Sequence, residues 1–292
     1  MVMLAFGADQ QHDDAMPAPR PADGRDALSS QPGKEPAHVV ITGGSSGIGA
    51  ALAHVYGVAG RRVSLIARDR ARLEAVADSG RARGAEIDVH VADVADAGAI
   101  EQAVLACDAR QPIALLIANA GVGGRDSLAP SSGEGGAVAR QIFATNALGV
   151  INTVTPILPR MIERRRGQIA IMSSLAGLVA LPACPAYSAS KAAIRAYGAA
   201  LRCLAAPSGV HISVICPGFI DTPMSASLPF RPPFLWSADR AAHHIARALA
   251  RGRREIVFPW PLALAVHAIN LLPTALADRI LMRVGAAGAP RD

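Results

Sequence analysis

From residue 37 onward the chain alternates short, β-branched, largely apolar runs with longer alanine-rich stretches of helical period. Residues 38–42, 62–67, 86–91, 113–118, 167–172 and 211–215 predict six strands, and 49–60, 73–84, 97–109, 137–164, 187–206 and 238–251 predict the helices between and after them. Strands that are apolar at successive positions are covered on both faces, which helix-joined strands achieve in a parallel sheet. The expected fold class is α/β, a doubly wound parallel sheet in a single domain. Ligands of such sheets gather at the carboxyl ends of the strands.

Two stretches fall outside the alternation. Residues 1–36 mix Gln, Asp, Pro, Ser and Gly without an apolar period and read as a disordered tail. The opening Met1 to Phe6 is too short for a signal-peptide core, and a translation start at Met16 or later gives the same pattern. Residues 256–292 form an apolar extension to a domain drawn at 37–255. Its first 22 positions, 256–277, contain no Asp, Glu, Lys or Arg. Spanning a bilayer takes about 20 continuous apolar residues, whereas Pro259, Pro261 and Pro273 leave an uninterrupted helical piece of only 262–272. Trp260 and the flanking arginines suit a segment lying on a membrane surface. Packing on the core or across a dimer interface fits the same pattern.

Composition narrows the class. Of 292 residues, 51% are hydrophobic and 18% charged, enough apolar mass for a large core and too much for a chain that is mostly disordered. The net charge of +6 is carried almost wholly by arginine, since Lys34 and Lys191 are the only lysines. The basic clusters, Arg164 to Arg166 and Arg251 to Arg254, are too few, with aromatics at 4%, to predict a nucleic-acid partner and read as solvated helix ends. Cys107, Cys184, Cys203 and Cys216 show neither CxxC nor metal spacing. A reduced, cytoplasmic protein without a disulfide framework or a metal is expected.

The first strand runs into Thr42-Gly43-Gly44-Ser45-Ser46-Gly47-Ile48-Gly49, which opens a helix. Glycines there permit a sharp turn and bring backbone N–H groups close to a pyrophosphate at a helix N-terminus. The spacing resembles the TGxxxGIG of the short-chain dehydrogenase/reductase family, and further motifs follow in order. Val91-Ala92-Asp93-Val94 is similar to the family's adenine-contacting segment after the third strand. Ala118-Asn119-Ala120-Gly121 is similar to its NNAG, with Ala118 in place of the first Asn. Pro217-Gly218-Phe219-Ile220-Asp221-Thr222 is similar to the PGxxxT segment that contacts the nicotinamide carboxamide. At the end of the second strand a carboxylate would hold the ribose of NAD, and an arginine the 2′-phosphate of NADP. Arg68 comes first past that strand, which favours NADP(H), while the adjacent Asp69 keeps NAD(H) open.

Tyr187-Ser188-Ala189-Ser190-Lys191 places Tyr187 and Lys191 one helical turn apart on one face. A tyrosine at its free pKa of about 10 is a poor acid or base at neutral pH, and a nearby cation favours the phenolate. The family's catalytic roles map onto Ser174, which would orient the substrate, Tyr187, Lys191 and Asn146, the last in a proton relay. Ser173 points to the opposite side of an extended chain.

The resemblance covers about residues 37–255 and implies a Rossmann fold, hydride transfer between a nicotinamide and a carbonyl or alcohol carbon, and a homo-oligomer. Residues 223–236, with Met224, Leu228, Phe230, Phe234, Leu235 and Trp236, occupy the position of the family's substrate flap. An apolar flap and an apolar extension suit a hydrophobic or lipid-like ketone and a membrane-associated enzyme. An NAD-dependent alcohol dehydrogenase of a small substrate and a non-catalytic NADP(H)-sensing protein are the alternatives.

Overall fold

A computed structural model describes residues 36–123, 135–228, 230 and 232–287. The tail assigned to 1–36 lies, but for Pro36, outside them. Seven strands form one parallel sheet: β1 (His38–Thr42), β2 (Arg62–Ala67), β3 (Glu86–Val91), β4 (Leu115–Ala118), β5 (Gly167–Met172), β6 (Val210–Pro217) and β9 (Glu255–Phe258). Their order is β3-β2-β1-β4-β5-β6-β9. Two further strands of two residues each, β7 (Ile220–Asp221) and β8 (Trp236–Ser237), pair with one another outside that sheet.

Period-two side-chain geometry explains why the central strands are apolar throughout. On β1, Val39 and Ile41 face one core, with Leu52 of α1 (Gly47–Tyr56), Leu73 of α2 (Arg70–Arg81) and Ile245 of α8 (Ala238–Ala250). Val40 faces the other, with Ile100 of α3 (Ala97–Arg110), Val150 of α5 (Gly149–Val154) and Ile194 of α7 (Pro185–Ala205). Strand order reverses beside β1, which pairs with β2 on one side and β4 on the other. That reversal opens the crevice where the site forms.

Several expectations are corrected. The helix expected over 137–164 is three pieces, α4 (Gly136–Phe143), α5 and α6 (Leu158–Glu163). A π-helical turn at Ala144–Leu148 joins the first two, and Pro156, which has no N–H to donate, separates the last two. The boundary at 255 falls on the first residue of β9, so 256–258 belong to the sheet. Pro261 does not break the helix that follows: it sits in the first turn of α9 (Trp260–Asn270), where a missing N–H costs nothing. After Pro273 the chain continues as α10 (Thr274–Ala287). Arg164 is not a solvated helix end either, because its Nη1 lies 2.7 Å from the buried carboxylate of Asp108 and its Nη2 donates to the Ile113 carbonyl at 2.7 Å. A charge inside a cluster of arginines does not betray a buried partner 56 positions away.

Candidate active site and nucleotide cradle

The end of β1 is tied to the end of β4 across the crevice. The Thr42 hydroxyl accepts from the backbone N–H groups of Asn119 (3.1 Å) and Ala120 (3.2 Å), and Asn119 Nδ2 donates to the Thr42 carbonyl at 3.0 Å. Gly43 turns the chain at φ +67°, and a Cβ there would stand 2.9 Å from the Ala120 Cα. At Gly49 a Cβ would come within 2.2 Å of the Gly43 carbonyl oxygen. Both positions therefore admit glycine alone, and the turn closes tightly on the start of α1. Ser45 is half-buried and Ser46, the N-cap, makes no side-chain cap bond; the first turn of α1 carries no acidic residue. The end of that helix is left with backbone donors and no competing negative charge, which fits a pyrophosphate. The methyl group of Thr222 lies 3.1 Å from where a Cβ on Gly47 would be, so the 217–222 segment reaches the same turn. Ile48 leans on the core, Ile220 is buried, and Pro217 and Gly218 hold the end of β6, with Gly218 N–H donating to Phe258 at 2.7 Å.

At the end of β2 the two neighbours Arg68 and Asp69 separate in role. Asp69 caps α2, its carboxylate accepting from Arg72 N–H at 3.1 Å. The Arg68 guanidinium is 62% exposed and lies 3.6 Å from the carboxylate of Asp93 across the mouth of the crevice. Val94, by contrast, is a core residue packed on Gly149, with its carbonyl taken by Asn152 at 3.0 Å.

The catalytic candidates converge at the carboxyl ends of β4 to β6. Ser174 starts a short 3₁₀ turn after β5; its hydroxyl accepts from Ala176 N–H at 3.1 Å and donates to the Pro217 carbonyl at 3.5 Å. Ser173 is turned away, buried, and donates to the Lys191 carbonyl at 2.8 Å, as an extended chain requires. Lys191 is buried at 3% exposure with its Nζ 5.8 Å from the Tyr187 ring centre and donating to the Met172 carbonyl at 2.9 Å. Burial pushes the Tyr187 phenol up to about 12, against the influence of the Ser174 hydroxyl, which pulls it down. Burial brings the Lys191 ammonium down to about 8. Gly121 sits between Asn146 and Lys191: a Cβ on it would be 3.2 Å from Asn146 Oδ1 and 3.4 Å from Lys191 Nζ. Asn146 lies in the π-helical turn, fully buried, and its amide is spent on Val122, accepting from N–H at 2.8 Å and donating to the carbonyl at 2.9 Å. Its remaining contact is Ser190 Oγ at 3.3 Å. Thr42, Val122 and Ser190 thus join the site unforeseen; a threonine before the first glycine is the one visible signal.

The Lys191 burial has a measurable cost. Because its folded-state pKa lies below the ordinary 10.5, the unfolded chain binds more protons between about pH 8 and 10.5, so stability rises with pH across that window. Lys191→Met removes a penalty on the order of 3 kcal/mol, offset by about 1 kcal/mol for the Met172 carbonyl left without its donor. Urea unfolding should find the variant more stable than the native protein at about pH 7, with the gap closing by about pH 10. A gap constant with pH would show that Lys191 carries no such penalty.

Two apolar features flank the site. In the segment expected to form a flap, Trp236 is packed 5.1 Å from Phe258 and 5.5 Å from His244 under the Arg240 guanidinium, so it anchors the segment to the core. Phe230 packs edge-on against Phe219, and Met224 touches Gly123. A cavity of about 640 Å³ lies between the segment after Ser174, the first turns of α7 and the C-terminal helices, lined by Leu178, Val179, Ala189 and Leu281 with Ser188, Asn270 and Asp278 as its polar residues. No cluster of metal-ligating side chains occurs among the described residues.

A parallel sheet whose order reverses at a glycine turn is the architecture of dinucleotide-binding enzymes. Residues 37–231 match the family model for short chain dehydrogenase. An uncharacterized oxidoreductase of Myxococcus xanthus is 35% identical over 246 residues, covering 84% of this chain and 96% of that one. Dehydrogenase/reductase SDR family member 7B of Bos taurus is 31% identical, covering 80% and 77%. Among solved structures, actinorhodin polyketide ketoreductase with NADPH superposes at a TM-score of 0.68 and 26% identity, covering 75% of this chain and 94% of that one. The chain belongs to the short-chain dehydrogenase/reductase family: a Rossmann-fold, NAD(P)-binding oxidoreductase acting between a CH–OH group and a carbonyl on small molecules.

Proposed function

We propose that the protein is an NADPH-dependent reductase of a hydrophobic, lipid-like ketone. The observation that carries the chemistry is the buried Lys191 one turn along the helix from Tyr187, its Nζ 5.8 Å from the Tyr187 ring centre. Gly43, Ser45, Ser46, Gly47, Ile48 and Gly49 would hold the pyrophosphate of the cofactor, Arg68 its 2′-phosphate, and Asp93 with Val94 its adenine. Asn119, Ala120, Gly121, Tyr187 and Lys191 would line its ribose, and Pro217, Gly218, Ile220 and Thr222 its carboxamide. When bound, NADPH supplies the hydride that reduces the carbonyl carbon.

The protein's own residues handle the oxygen. A phenol held near 12 is protonated at neutral pH and serves as the acid: Tyr187 donates its proton to the carbonyl oxygen while the Ser174 hydroxyl hydrogen-bonds the same atom. Lys191, charged below about pH 8, stabilises the phenolate left behind. Asn146 positions the site by fixing the Val122 backbone beside Gly121. The exposed Met224, Phe234 and Leu235 of the flap segment support an apolar substrate.

Cofactor choice is supported by the split roles at β2. Asp69→Ala should cost about 1 kcal/mol through the lost cap and leave the preference for NADPH over NADH unchanged in initial-rate kinetics; a switch of preference would assign the ribose to Asp69. The reading as a whole is tested by following NADPH oxidation over ketones graded in chain length. Activity rising with chain length is expected. Activity confined to short polar carbonyls would overturn the substrate class, and tight NADPH binding without turnover would leave a sensor.

A further inference from the structure

Helix α9 is apolar but for His267 and Asn270, and a helix of that kind needs cover on more than one side. The body covers one: Val266 packs with Val179 and Leu281, and Leu262 reaches Gly218. The other is open, with Trp260 74%, Leu264 61% and Leu271 86% exposed. Leu276 and Met282 of α10 are exposed beside them in sequence and continue the apolar surface of the hairpin. The flap adds to it, since Phe234 and Leu235 are exposed just before Trp236, and Trp236 stacks on Phe258, two residues before Trp260. One ring stack thus anchors both the flap's edge and the start of α9.

We propose that this face docks on an anionic lipid surface, α9 lying flat in the headgroup region. Charge argues for lipid over a second copy of the chain. Residues 256–287 carry Arg279 and Arg283 against the single acid Asp278, and Asp278 lines the cavity under the hairpin. Two copies meeting through this face would oppose arginine to arginine, whereas anionic headgroups complement both, as they do the net charge of +6. A tryptophan at the end of an apolar helix is the usual interfacial anchor. At 11 residues α9 reaches about 16 Å, half of a bilayer core, so the segment lies on the membrane and does not cross it. Binding of this kind is independent of the reductase reading; the delivery of an apolar ketone from the bilayer to the flap rests on it.

The test uses the full chain without nicotinamide or ketone, sedimented with vesicles of phosphatidylcholine with or without phosphatidylglycerol. The protein should co-sediment with the anionic vesicles, less so at high salt, and Trp260 emission should shift to the blue. With Trp236 packed, the shift should vanish in Trp260→Phe. Leu264→Ser with Leu271→Ser should weaken partition more than tenfold, with circular dichroism and NADPH binding as in the native protein. Equal partition of the native protein and the double variant would overturn the proposal. So would a native dimer that the double variant turns into a monomer, with no partition of either: the face would then join two copies of the chain.

Discussion

Tyr187→Phe lowers kcat for ketone reduction by about a thousandfold while NADPH binds as tightly as to the native protein. The size follows from what the hydroxyl does. General acid catalysis by a positioned group contributes roughly 10²–10⁴-fold, and the phenol is the acid aligned by Ser174. Phenylalanine keeps the ring against Lys191 and so keeps the packing of the first turns of α7, which is why folding and cofactor affinity should survive. In the native enzyme the reduction rate should fall as pH rises past about 8, where Lys191 loses its charge and the phenolate loses its counter-ion. Stopped-flow reduction with fluorescence titration of NADPH separates the two effects. Loss of NADPH affinity equal to the loss of rate would make Tyr187 a binding residue and not the proton donor.

Much of this site is legible in the sequence because its chemistry sits where strands end, and strand ends announce themselves. Gly43 and Gly49 are demanded by backbone contacts of 2.9 and 2.2 Å, so no other residue type could disguise the turn. Tyr187 and Lys191 are joined by helix geometry alone. What stays hidden depends on contacts between distant segments. Strand β9, EIVF, runs from Glu255 into the start of a long charge-free stretch, and nothing local separates it from the helix that follows. Trp236 reads as a flap residue because its composition cannot reveal Phe258 5.1 Å away. The Asn146 amide bonds Val122, 24 positions back, from a π-helical turn that helical periodicity does not predict. Arg164 reads as surface charge until Asp108 is placed under it.

The ambiguity between Arg68 and Asp69 is of the same kind, and it sets up the sharpest change of specificity. Arg68→Asp should shift the ratio of kcat/KM for NADPH to that for NADH by about a thousandfold toward NADH. Losing a charge-assisted pair with phosphate costs about 3 kcal/mol, roughly a hundredfold in affinity for NADPH, and a carboxylate able to accept from a ribose hydroxyl restores about tenfold for NADH. The native pairing of Arg68 with Asp93 bears on the outcome, because the two side chains lie 3.6 Å apart with Arg68 exposed and Asp93 half-buried. Such a contact is weak enough for a phosphate to displace. In the variant, the introduced carboxylate sits closer to the backbone than the guanidinium did, and its negative charge repels a 2′-phosphate directly. Folding should be unaffected, since the Arg68 side chain is exposed and the cap of α2 stays with Asp69. Arg68→Ala separates the contributions: it loses the hundredfold for NADPH without the gain for NADH. If NADPH affinity is unchanged in both variants, the 2′-phosphate is held elsewhere and the role assigned to Arg68 is wrong.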